Sequence, residues 1–126
     1  MTTLNIEKTL KKIEDFYGEV PFILKEISKD EKDFVTSVDK LFHLIGSNKV
    51  FSQKETELFA IAGAVGNDSN HCLAFHLRQA LKFGATEEEI FQVILIAALM
   101  SESSSLAVGL RSLKVIENER GITKKD

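Results

Sequence analysis

Ser69-Asn70-His71-Cys72-Leu73-Ala74-Phe75-His76-Leu77-Arg78-Gln79-Ala80-Leu81-Lys82-Phe83-Gly84 is the stretch on which the reading turns. Its apolar residues Leu73, Leu77, Ala80 and Leu81 recur at three- and four-residue spacing, the period of an α-helix and not the alternation of a strand. Asp68 or Ser69 can cap the start, and Gly84 suits the left-handed turn that ends a helix. At about 100° per residue, Cys72 and His76 lie only about 40° apart, with Ser69 about 60° from Cys72 on the same side. The three face one place at the margin of the apolar stripe. His71 turns elsewhere, in company with Arg78 and Lys82.

The segments on either side have the same period. With one Pro and seven Gly in 126 residues, few positions break a helix, and no strand pattern competes. Leu4 to Tyr17 places Ile6, Leu10, Ile13 and Tyr17 on one stripe and stops at Gly18. Pro21 suits the first turn of a short second helix to about Ile27, since its φ is already helical. A third helix runs from about Asp30 to Ile45. Ser52-Gln53-Lys54-Glu55 reads as a capping box opening a fourth, whose buried stripe is Leu58, Ile61, Ala62 and Val65. The stretch around Cys72 is the fifth helix, and Thr86-Glu87-Glu88-Glu89 is a second capping box opening a sixth. Ser101-Glu102-Ser103-Ser104-Ser105 reads as a loop by composition, followed by a seventh helix lined by Leu106, Gly109, Leu110, Leu113 and Ile116. The tail from Gly121 to Asp126 is expected to fray. The expectation is an all-α chain of six or seven helices forming a single domain over residues 1–126.

Composition narrows the function classes. A hydrophobic share of 44% with 28% charged residues describes a chain that folds around a core. A formal charge of -3 provides no basic field for nucleic acid or an anionic membrane surface. The N-terminus lacks the basic and apolar segments of a secretory signal, which makes the cytoplasm the default compartment. The apolar run from Ile90 to Met100 is about half the ~20 residues that span a bilayer, so no membrane partner is expected. One cysteine, Cys72, excludes an internal disulfide framework.

Cys72 sits near the start of its helix, where free N–H groups and the helix dipole favour a thiolate. A free thiol with a pKa of about 8.5 is only a few per cent ionised at neutral pH, whereas one lowered to about 6 is mostly thiolate and reactive. His76, one turn on, can accept or relay the proton. Two plainer readings stand beside this one. A buried cysteine behaves as a small hydrophobe, and a histidine beside an apolar stripe is often only packed. Cys72, His76 and Glu57 would also offer three ligands that zinc accepts, but no second spaced pair supports a metal site, and neither metal nor cofactor is expected. His43, between Phe42 and Leu44, reads as structural.

From about Ile13 to Ile116 the sequence resembles the carboxymuconolactone decarboxylase and alkylhydroperoxidase-D-like family. Three stretches carry the resemblance: Phe16-Tyr17-Gly18-Glu19-Val20-Pro21, the block from Glu57 to His76, and Gly84-Ala85-Thr86-Glu87-Glu88-Glu89-Ile90. The peroxidase-like branch has a glutamate, a Cys-x-x-Cys pair opening a helix, and a histidine four residues after the second cysteine. Glu57, Cys72 and His76 match these, and His71 matches a histidine that some members carry between the cysteines. The first cysteine falls on Ser69, and a serine cannot resolve an oxidised Cys72.

The resemblance implies an AhpD-like helical fold and a thiol-dependent peroxidase with Cys72 as nucleophile and Glu57 and His76 as proton relay. Ser69 and His71 would be lesser contributors. It also implies a small-molecule substrate, a peroxide or organic acid, with an external thiol or redox protein as reductant, and assembly as homotrimers or hexamers. The decarboxylase branch generally lacks the cysteine pair and keeps the histidine that falls on His76. That reading calls for cations near a carboxylate substrate, and helix phase turns Arg78 away from the site. A protein that kept the fold for binding or assembly and lost the chemistry is the third reading, which Ser69 permits.

Overall fold

Most helices in this chain begin where a short polar side chain takes up one of the first free backbone N–H groups. In the computed structural model, which describes residues 5–121 and leaves the side chains of residues 70–72 outside that description, Asn5 caps α1 (Ile6–Tyr17) by accepting from the Lys8 N–H at 2.9 Å. Asp30 does the same for α3 (Glu31–Leu41) through the Asp33 N–H. Ser52 opens α4 (Gln53–Gly66) by accepting from the Glu55 N–H, while the Ser52 hydroxyl donates to the Glu55 carboxylate at 3.1 Å. At Thr86 both halves of the capping box close, opening α6 (Glu87–Glu119). The short α2 (Phe22–Ile27) follows Pro21, which stands at the N-cap, one position earlier than expected. Ser69 holds the N-cap position of α5 (Asn70–Lys82), but its hydroxyl makes no cap hydrogen bond. Leu4 and residues 122–126 lie outside the described residues.

The turns on either side of α5 have one design. After α4 the Ser69 N–H donates to the Ala64 carbonyl and the Asp68 N–H to that of Val65, with Asp68 at φ 55°. After α5 the Ala85 N–H donates to Ala80 and the Gly84 N–H to Leu81, with Gly84 at φ 94°. Both are Schellman motifs, which use the last free carbonyls of one helix to reverse the chain into the next. Asp68 takes the left-handed position usually held by glycine, one that aspartate tolerates better than most side chains. This turn sets α4 against α5, and α4 packs against both α5 and α6.

Two apolar clusters result. Ile13, Tyr17, Leu24, Phe34, Val38 and Phe75 join α1, α2, α3 and one face of α5. Ile61, Ala80, Ala85 and Ile90 join α4, the far end of α5 and the start of α6. The third helix, expected to about Ile45, ends at Gly46, and its last turn widens into a π turn over Phe42–Gly46. Among the described residues there is no strand.

One expectation is overturned: residues 101–105 are not a loop. The sixth and seventh expected helices are the single helix α6, 33 residues and about 50 Å long. Serine costs a helix interior less than about 0.7 kcal/mol per residue, and neither Gly nor Pro stands between residues 101 and 105. The Ser105 hydroxyl also donates to the Ser101 carbonyl at 3.2 Å, inside the helix. Only Ile90 and Ala97 of α6 are buried, and Leu106, Leu110 and Leu113 are more than half exposed. By length and composition α6 is long and apolar enough to cross a membrane, because continuity through the serines doubles the run that the sequence divides.

Candidate active site

Glu57 lies one turn past the Ser52 cap on the face of α4 that also buries Thr56 and Ile61, and its exposure is 0%. A carboxylate with no access to water needs a partner. It finds one 19 residues on: His76 Nδ1 approaches Glu57 Oε2 at 2.6 Å. The Asp68 turn makes this meeting possible, since it brings the first half of α5 back along α4.

The pairing sets the chemistry of the ring. With Nδ1–H donating to the carboxylate, the neutral imidazole carries its lone pair on Nε2. The His76 side chain keeps 13% of its surface exposed, and that surface helps to line a cavity of about 810 Å³ between the α1–α2 corner, the end of α3, and α5. Phe75 stands edge-on to the imidazole at 5.1 Å and tilted against Tyr17 at 5.0 Å. This packing restricts the orientation of the ring. The result is a base held by a buried acid at the wall of an open cavity, an arrangement suited to moving a proton to or from a bound molecule.

Tyr17 is the member of this site that sequence reasoning missed. The sequence places it on a core stripe and in a stretch that carries the family resemblance, with no role. Its phenol is pushed up to about 12, first by burial and then by the negative charge of Glu57. Tyr17 Oη and Glu57 Oε1 are both buried, and neither has a hydrogen-bond partner among the described residues. Gly46 lets the π turn close over this tyrosine. A Cβ there would stand 3.2 Å from Tyr17 Oη and 2.8 Å from Phe42 Cδ1. The end of α1 is held to α5 by Gln79, whose amide donates to the Tyr17 carbonyl at 2.9 Å, and by Lys82, whose ammonium donates to that of Phe16 at 2.7 Å.

Arg78 corrects a second expectation. Helix phase turns it away from His76, yet its guanidinium pairs with Glu19, 59 residues earlier, and both line the cavity that His76 borders. The long side chain reaches where its Cα does not point. His43 is exposed on the π turn, apart from the site. Ser69 heads α5. The backbones of His71 and Cys72 belong to the first turn of α5, but their side chains lie outside the described residues. Among the described residues no three His, Cys, Asp or Glu side chains gather as metal ligands.

Residues 33–114, more than half of the chain, match the family model described as carboxymuconolactone decarboxylase family. An all-helical chain that sets a buried glutamate of one helix against a histidine of the next fits that match, and the chain belongs to this family. The matched stretch takes in Glu57, Ser69, His71, Cys72 and His76, and leaves α1 and α2, with Tyr17, outside it. No curated protein and no solved structure matches the chain.

Proposed function

We propose that this family member is a thiol-dependent peroxidase or redox enzyme of the alkylhydroperoxidase-D-like type, acting in peroxide detoxification. Cys72 is the nucleophile, and Glu57 and His76 form its proton relay. The observation that carries this reading is the buried 2.6 Å contact between Glu57 and His76, on the helix whose first turn contains Cys72. In the first step the Cys72 sulfur attacks the terminal oxygen of a hydroperoxide. An S–O bond forms and the O–O bond breaks, oxidising the thiol to a sulfenic acid and reducing the peroxide to an alcohol. The proton leaving the thiol passes through His76 to the departing alkoxide. Ser69 cannot resolve the product. An external thiol therefore condenses with the sulfenic acid, releasing water, and a second frees Cys72 as the external pair leaves joined by a disulfide.

The test is intact mass after stoichiometric peroxide, alongside the pH dependence of Cys72 alkylation. The expected results are one added oxygen, converted to a mixed disulfide by added thiol, and an alkylation midpoint well below about 8.5. An unmodified chain with an ordinary midpoint overturns the reading. A second reading, proton transfer in a decarboxylase-type lyase acting on an organic acid, uses the same Glu57 and His76 pair without Cys72. Retained turnover in Cys72→Ser, together with loss in His76→Ala, would select it.

We read the exposed apolar residues of α6 as a subunit contact in a cytoplasmic homotrimer or hexamer. A bilayer span would place Glu102 and the four serines around it near the hydrocarbon centre, where one carboxylate alone costs about 2.5–3.5 kcal/mol. Packing against copies of the same chain asks for no such transfer into hydrocarbon.

A further inference from the structure

The cavity beside His76 is far larger than hydrogen peroxide requires. At about 810 Å³ it falls in the range that holds a drug-sized organic molecule. Its walls are mainly apolar: Pro21 and Leu24 come from the α1–α2 corner and from α2, Leu41 and Ile45 from the end of α3, and Phe75 from α5. Phe22 and Leu44, also part of the lining, are 67% and 49% exposed. Such open apolar surface on a lined cavity marks a place that an apolar body would cover.

The charge of the lining is opposite to that of the chain. The whole sequence has 19 acidic against 16 basic residues, whereas the cavity is lined by Lys25, Lys40 and Arg78 against the single acid Glu19. These cations come from α2, α3 and α5, so no single helix face accounts for their meeting. Arg78 is matched by Glu19, and neither Lys25 nor Lys40 pairs with an acid among the described residues. Two unmatched ammonium groups beside an apolar cavity suit one carboxylate carried on an apolar body.

We propose that this cavity binds an amphipathic monocarboxylate of the medium-chain fatty-acid class. The carboxylate is held by Lys25 and Lys40, the chain lies along the apolar walls, and the far end approaches His76. Resting on the peroxidase reading, the preferred substrate of the site is the organic hydroperoxide of such an acid.

Isothermal titration of the full-length protein with decanoate below its micelle concentration tests the binding. Decanoate is expected to bind saturably, acetate not at all, and decanol at least tenfold more weakly than decanoate. Lys25→Glu with Lys40→Glu should weaken decanoate tenfold or more while leaving decanol nearly unchanged. Ala74→Trp, which places a bulky ring in the cavity lining, should weaken both. No binding of decanoate, equal binding of decanoate and decanol, or decanoate binding indifferent to either variant overturns the proposal. The two readings fail separately. Decanoate binding with a Cys72 inert to peroxide removes the peroxidase and keeps the ligand class. Peroxide oxidation of Cys72 without decanoate binding does the reverse.

Discussion

Glu57 and the distal half of α6 are opposite cases of burial. Glu57 is a charged residue with no solvent exposure, sustained by one histidine and the helix-to-helix turn that delivers it. Leu106, Leu110 and Leu113 are apolar residues more than half exposed on a helix that has outrun the body of the protein. Burial here follows the meeting of elements and not the polarity of the residue. Where α4 is flanked by α5 and α6, even a carboxylate is enclosed. Where α6 has no neighbour among the described residues, leucines stand in the open.

The strongest way to break this comparison is to remove one partner of the buried pair. His76→Ala strands the Glu57 carboxylate and is expected to cost about 3–5 kcal/mol in urea unfolding. Glu57→Gln keeps an amide oxygen opposite the His76 ring and leaves no charge buried at position 57, so its cost should be smaller, about 1–3 kcal/mol. A reversed order would mean that the carboxylate is not the group that depends on the pair. Next comes a contrast between apolar side chains. Ile61→Ala, at a site with no exposure, should cost about 2–5 kcal/mol. Leu110→Ala, 61% exposed, should cost under about 0.5 kcal/mol when the protein is dilute. The gap should narrow as concentration rises if α6 is covered by other copies, and sedimentation velocity on the same samples would show the assembly.

An effect confined to high pH is expected at Tyr17, the only tyrosine in the chain, whose ionisation is therefore readable by ultraviolet absorbance. The phenol should hold its proton until about pH 12. Its folded-state pKa lies above the unfolded value of about 10, so its contribution to stability is complete below pH 10. That contribution declines as pH rises towards 12, because the unfolded chain releases the proton first. Titration at an ordinary value would show that neither burial nor Glu57 acts on the phenol.

Much of the local structure was legible beforehand because caps and helix phase are short-range properties. Thr86 and Glu89 close a capping box through atoms three residues apart, and Gly84 ends α5 through its own φ. The Glu57 and His76 pair came instead from resemblance, since no periodicity relates residues on different helices. The serines of α6 misled because their composition suits a loop, while their helical cost is small enough for the flanking leucine-rich segments to override. Arg78 misled because phase gives the direction of a Cα and not the reach of a long side chain drawn towards Glu19.

The sequence by itself determined where the helices start and stop around the site, and the family. Only the tertiary structure decided that α6 runs on beyond the body, that Tyr17 lies within reach of the charge of Glu57, and that Arg78, Lys25 and Lys40 line one cavity with His76. The physical reason is range. Hydrogen bonds within a turn are set by neighbouring residues, whereas burial, charge coupling and cavities depend on which helix faces meet, and that is settled by packing the whole chain at once.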